Sequence, residues 1–241
     1  MTIELVKTSI LNINADAIVL PANTGLKEGP GVSAAIFEAA GRENLSKACE
    51  KLGTCEVGSA VPTPAYDLDA KYIIHAVVPK WINGKNNEYA LLSSAYLSAL
   101  KIADVIGCES IAFPLLASGN NGFDLELAFQ IAMESIQSFD GTCLKKAILV
   151  LFGNRITEIV KKLGYNLIVI PYDLKKQKGN RQKEKESKIH NDGKGIAKAI
   201  IDDQIQKGII YLKDKKNREE VLAAGIDIAK TAYKIVKTIK G

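Results

Sequence analysis

The chain has few of the side chains that most often do chemistry. Two histidines, four cysteines, two methionines and one tryptophan are spread over 241 residues. Cys49, Cys55, Cys108 and Cys143 show no C-x-x-C spacing, and only His75 and His190 could join them, so they read as reduced thiols. No metal and no cofactor is expected. Long apolar runs are missing too. Ala147–Phe152 and Asn166–Pro171 fall far short of the ~20 residues that cross a bilayer, so no membrane partner is expected. Met1–Lys7 has no cationic region followed by a long apolar run, so no secretory signal is expected and a cytoplasmic location is. Neither G-x-G-x-x-G nor G-x-x-x-x-G-K-[ST] occurs, which argues against classical dinucleotide folds and P-loop nucleoside-triphosphatases.

What is present is ordinary for a globular chain: 47% hydrophobic residues, 24% charged and a net charge of +5. The charge is unevenly placed. Up to Tyr172 the signs nearly balance, and then Lys175–Lys188 reads KKQKGNRQKEKESK. Such a run can attract nucleic acid, but no aromatic residues interleave for base stacking, and a solvated linker is the simpler reading.

Three units follow from the pattern: a compact domain over 1–174, a basic polar linker over 175–192 and a helical hairpin over 193–241. In the first, short β-branched apolar runs alternate with longer amphipathic segments. Strands are expected at Ile3–Lys7, Ala17–Pro21, Ser59–Thr63, Tyr72–Val78, Ser110–Leu115, Lys146–Leu151 and Asn166–Ile170. Helices are expected at Val32–Lys51, Glu88–Ile106, Leu125–Phe139 and Arg155–Leu163. That alternation predicts a largely parallel sheet covered on both faces. In the tail, Gly195–Leu212 and Asn217–Ile239 carry apolar residues at helical steps. Two isolated helices bury little, so the hairpin should pack on the main domain or on another chain.

Two glycine- and asparagine-rich loops follow strands and open helices: Asn23–Val32 (NTGLKEGPGV) and Ala117–Phe123 (ASGNNGF). In open α/β sheets ligands bind beyond the carboxyl ends of strands. Glycine there lets backbone N–H groups approach a phosphate, and a helix N-terminus adds favourable partial charge. Together the loops point to an anionic, phosphate-bearing ligand.

The same residues carry a family resemblance. Val6–Asn23 (VKTSILNINADAIVLPAN) resembles the opening of macro domains. Gly29-Pro30-Gly31-Val32, Ala34–Gly41 (AAIFEAAG), Gly53–Pro64 (GTCEVGSAVPTP), Tyr72–Pro79 (YIIHAVVP) with Trp81, and Ser110–Phe123 (SIAFPLLASGNNGF) follow in family order. The resemblance runs from about Ile3 to Ile170. It implies a three-layer α/β/α fold with a mixed, mostly parallel sheet, the tail being a helical extension. It implies ADP-ribose, or ADP-ribosylated protein, as ligand. Its site would comprise Ser9, Ile10, Ala22, Asn23, Gly29, Gly31, Val32, Ser33, Ser118, Gly119, Asn120, Asn121, Gly122, Phe123 and Phe152. Asn23 matches the asparagine that hydrogen-bonds the distal ribose, and is also the candidate catalytic residue. Phe152 matches an aromatic that stacks on adenine; ordinary core packing is the alternative.

The chain departs from the family pattern at several points. Ser9 stands for an aspartate that takes the adenine amino group. Pro30 replaces a glycine and lacks an N–H. Asn121 replaces an aromatic that covers the distal ribose, with Phe123 nearby. Ser33 stands where a hydrolytic subgroup carries an aspartate. A serine is no carboxylate base, and without an adjacent histidine it is a poor nucleophile. Binding of ADP-ribose is therefore the first expectation. The alternatives are hydrolysis of ADP-ribosyl esters or O-acetyl-ADP-ribose, and an RNA-associated module using the basic tail. Asp124 reads as an N-terminal helix charge, and His75 as a buried structural histidine.

Overall fold

A computed structural model of the chain describes residues 1–171, 203, 206 and 215–240. Seven strands form one sheet in the order β3-β4-β2-β5-β6-β1-β7. They are β1 (Thr2–Lys7), β2 (Ala17–Ala22), β3 (Ala60–Pro64), β4 (Tyr72–Val77), β5 (Ser110–Pro114), β6 (Lys146–Val150) and β7 (Ile168–Val169). All neighbouring pairs are parallel except β3 with β4. The sheet is thus mixed and mostly parallel, as the family resemblance implies. All six residues of β4 are buried, as expected of a strand covered on both faces.

Period-two alternation sorts the strand side chains into two cores. Ile18 and Leu20 join Ile36, Phe37 and Leu45 under α1 (Val32–Ala40) and α2 (Arg42–Leu52). Val19 faces the opposite way and joins Leu92, Leu100, Phe129 and Ile131 under α3 (Glu88–Val105) and α4 (Leu125–Gln137). α5 (Asn154–Lys162) adds Ile156 and Val160 to that second core.

The expected helix Val32–Lys51 is two helices. Gly41 has φ +88°, a left-handed conformation that ends α1 and starts α2. Apolar spacing continues across the break, so the pattern alone ran through it. The expected strand Asn166–Ile170 pairs over only two residues, with Val6 and Lys7 of β1.

The tail helix α6 spans Lys215–Lys240, against the expected Asn217–Ile239. It lies on α3 and α4, and its Val221 is buried in the second core. The first tail helix, Gly195–Leu212, lies outside the described residues except for the helical positions 203 and 206. The basic linker lies outside them altogether. Among the described residues, no helix is long and apolar enough to cross a membrane.

Candidate functional site

Six parallel strands point their carboxyl ends the same way, so the connections after β1, β2, β5 and β6 gather on one side of the sheet. The centre of that edge is open. β2 pairs with β4 along all six residues, but with β5 only at Ala17–Ile111 and Ile18–Ala112. Beyond Ile18 the β2–β5 ladder stops, and the two glycine loops leave from either side of the gap. Gaps of this kind are where open α/β sheets take ligands.

The first loop, between β2 and α1, is stitched together by its own side chains. The Asn23 amide donates to the Lys27 carbonyl at 2.7 Å and accepts from the Lys27 N–H at 3.1 Å. Leu26 is 1% exposed and sits at φ +53°, unusual for a branched residue, so burial holds it there. Ser33 is buried, and its hydroxyl accepts from the Gly29 N–H at 3.0 Å. Glu28 and Arg42 form a two-pronged ion pair at 2.6 and 3.1 Å, which raises the Arg42 pKa. Gly31 has φ +68°, and no atom lies within 4 Å of where a Cβ would sit. Val32 then starts α1, which has no side-chain cap and no acid in its first turn.

The second loop, between β5 and α4, is held from α3 and from the β4–α3 connection. The Leu116 N–H donates to the Tyr96 hydroxyl at 2.9 Å, with both residues fully buried. Ser118 donates to the Leu115 carbonyl, and the Gly122 N–H to the Gly119 carbonyl. The Trp81 N–H donates to the Asn121 carbonyl at 2.8 Å. Phe123 is buried in an aromatic cluster with Trp81 and Tyr89, so it packs inward and does not cover the gap between β2 and β5. Gly119 and Asn120 are exposed, and nothing lies within 4 Å of a Cβ on Gly119. Ala117 sits at φ +60° while 5% exposed, a second strained backbone position besides Leu26. Asp124 caps α4, accepting from the Glu126 and Leu127 N–H groups.

Two further positions lie along the same edge. Phe152, just after β6, is 75% exposed. That removes core packing as its role. Ser9, after β1, caps a short 3-10 turn (Ile10–Asn12), its hydroxyl accepting from the Leu11 N–H at 3.3 Å. Ile10 and Ala22 are buried beside their loops. The sequence-expected residues thus fall on four connections at one sheet edge, with Ser33 and Phe123 turned inward.

Sequence reasoning missed Arg42, Tyr96 and Glu88. The Glu88 carboxylate accepts from the N–H groups of Ile82, Asn83, Gly84 and Asn86. Burial raises its pKa, but hydrogen bonds from the backbone of Glu88 itself, Asn83 and Asn86 and from the Asn86 side chain outweigh it and hold the group at about 2. An asparagine- and glycine-rich stretch closed by a glutamate was its available signal. Nothing in the sequence marks Tyr96.

His75 is fully buried and hydrogen-bonded to Thr63 at 2.9 Å. Burial pushes its pKa down to about 4, consistent with a neutral structural imidazole. Burial also raises the thiols of Cys49 to about 11, and of Cys55 and Cys108 to about 12, so they are poor nucleophiles. Among the described residues no cluster suits a metal.

Residues 19–132 match the family model described as Macro domain. A macro domain-containing protein of Caldanaerobacter subterraneus subsp. tengcongensis is 43% identical over 164 residues, covering 66% of this chain and 94% of the relative. The chain belongs to the macro domain family. An O-acetyl-ADP-ribose deacetylase of Escherichia fergusonii is 42% identical over 141 residues, covering 57% of this chain and 79% of the relative. Among solved structures, a variant of the Oceanobacillus iheyensis macrodomain with ADPR is 30% identical, with a TM-score of 0.62 over 66% of this chain and 90% of the other. The family match runs from Val19 to Ala132, within α4; β1, β6 and β7 lie outside it and complete the sheet, and α6 follows them.

Proposed function

We propose that this macro domain binds ADP-ribose, free or carried on a protein, in the gap between β2 and β5. The observation that carries the reading is the splayed β2–β5 ladder flanked by the two glycine loops. The pyrophosphate lies over Gly31 and Gly119, where the backbone is open, against the uncapped start of α1. The adenine lies against Phe152, with Ser9 as a neutral hydrogen-bond partner. Asn23, Val32 and the Ser118–Gly122 segment take the distal ribose and its phosphate. Asn23 must trade its bonds to Lys27 for bonds to the ribose, so loop rearrangement accompanies binding. The setting is cytoplasmic. Titration calorimetry with ADP-ribose tests the reading; no heat from folded protein at millimolar ligand would overturn it.

A second reading is hydrolysis of ADP-ribosyl esters or O-acetyl-ADP-ribose, supported by the similarity to the E. fergusonii deacetylase. Ser33 supplies no carboxylate, and its hydroxyl is committed to Gly29. Turnover would then rest on ligand strain and on water oriented by a ligand phosphate, with Asn23 positioning the ribose. Release of acetate from O-acetyl-ADP-ribose, abolished in Asn23→Ala, is the deciding assay.

A further inference from the structure

α3 is an unusual helix for the surface of a domain: thirteen of its eighteen residues are buried. A helix on one face of a sheet normally keeps a polar side in water. Here that side is covered by α6. Ser94, Ala90 and Leu97 face the tail helix, while Tyr96 and Tyr89 face the second ligand loop.

The docking is close. Gly225 lies in the middle of α6, where glycine costs a helix ~1 kcal/mol relative to alanine. A Cβ on it would come within 2.5 Å of the Ser94 Oγ, 2.7 Å of the Ala90 carbonyl oxygen and 3.1 Å of the Ser94 nitrogen. The glycine is therefore what lets the two helix backbones meet. One turn earlier, Val221 is 2% exposed and its carbonyl accepts from the Ser94 hydroxyl. Nearer the start of α6, Arg218 pairs with Glu56 at 3.0 Å.

Both anchor points lead to the ligand loops. Glu56 follows Cys55, whose N–H donates to the Thr24 carbonyl in the first loop at 2.9 Å. α3 carries Tyr96, which fastens Leu116 at the root of the second loop. We propose that α6 is a positioning element of the site: docked through Gly225 on α3 and Arg218 on Glu56, it holds both glycine loops in place, and ligand binding and tail docking are coupled. The coupling to ligand rests on the ADP-ribose reading; the bracing of the loops does not.

The test uses the full chain and amide hydrogen exchange without ligand. Gly225→Ala raises the intrinsic helicity of α6 while obstructing its seat. Expected are exchange at least tenfold faster in α6 and faster exchange at Cys55 and Leu116, the two N–H groups that fasten the loops. Ala223→Val, at an exposed position of the same helix, is expected to leave Cys55 and Leu116 unchanged. Arg218→Glu is expected to speed Cys55 selectively, and adding Glu56→Arg to restore it. A loosened α6 with unchanged Cys55 and Leu116 overturns the bracing; an α6 that stays protected in Gly225→Ala overturns the docking. ADP-ribose titration of wild type and Gly225→Ala then reads the coupling, with a three- to tenfold weaker Kd expected. An equal Kd for the two proteins overturns the coupling, and wild type that takes up no ligand overturns the ligand reading while the exchange result stands.

Discussion

Tyr96→Phe isolates the bond that roots the second glycine loop. The ring stays, so no cavity opens and the aromatic contact with Phe113, at 5.3 Å between centroids, is kept. What goes is the acceptor for the Leu116 N–H. Leu116 and Tyr96 are both 0% exposed, so water has no ready route to the stranded donor. An unsatisfied buried N–H costs about 1–3 kcal/mol. For a protein of this size each kcal/mol lowers Tm by about 2–4 °C. Urea unfolding should therefore show an earlier midpoint with the same slope, because the surface exposed on unfolding is unchanged. The damage should be local, with Leu116 and Ala117 exchanging faster than β5 itself. A loss below about 0.5 kcal/mol would refute the reasoning, since it would mean that the N–H finds another partner at no cost.

The other perturbations are shorter to state. His75 is neutral when folded, with a pKa of about 4, while the unfolded chain takes up a proton near pH 6.5. Stability is then complete above that pH and falls by about 3 kcal/mol as pH drops from 6.5 to about 4. Urea unfolding across that range checks it, and His75→Gln should flatten the slope. Glu88 acts in a lower window: stability from the hydrogen bonds its carboxylate accepts is present above about pH 4.5 and is lost as pH falls toward about 2, visible as faster exchange in Ile82–Asn86. Gly41→Ala should cost about 1–2 kcal/mol, since φ is +88° and the new Cβ would approach the Asp67 carboxylate at 2.9 Å; thermal unfolding reads it. Phe152→Ala should change stability by less than about 0.5 kcal/mol but weaken ADP-ribose binding by about 1–3 kcal/mol if the ring stacks on adenine.

The sheet was legible because its signal is local and repeated. Strands such as Tyr72–Val77 are apolar but for one buried histidine, and β2, β4, β5 and β6 are each followed by a helix with its own spacing. The break at Gly41 was hidden, since Ala40 and Leu45 both face the core and keep the apolar rhythm across it. Strand β7 was overread for a related reason: Ile168, Val169 and Ile170 look like core residues but are 50%, 60% and 39% exposed. The positions of the two glycine loops, each between a strand and a helix, were legible from glycine and asparagine clustered after strands. Their fastenings were not, because those run between distant segments. Tyr96 to Leu116, Trp81 to Asn121 and Cys55 to Thr24 leave no spacing to read.

Those fastenings change how the departures from the family pattern bear on function. Read one at a time, Ser33 and Pro30 are losses, a missing carboxylate and a missing N–H. In the folded chain they belong to one arrangement. The Ser33 hydroxyl holds the Gly29 N–H, Pro30 fixes the next φ, and Arg42 holds Glu28. With Asn23 closed on Lys27, the unliganded first loop bonds the Asn23 amide, the Lys27 backbone and the Gly29 N–H internally, while the start of α1 stays uncapped. A ligand must exchange those bonds and gains only the difference. Affinity is then set by how readily the loop opens as well as by the number of donors it offers. The Arg42–Glu28 fork, exposed but doubly bonded, is the part of that closure a mutation can loosen without touching the ligand. Arg42→Ala should therefore speed ADP-ribose association more than dissociation in stopped-flow binding. Slower association in that variant would show that the fork holds the loop ready, and that the internally bonded loop is the binding-competent one.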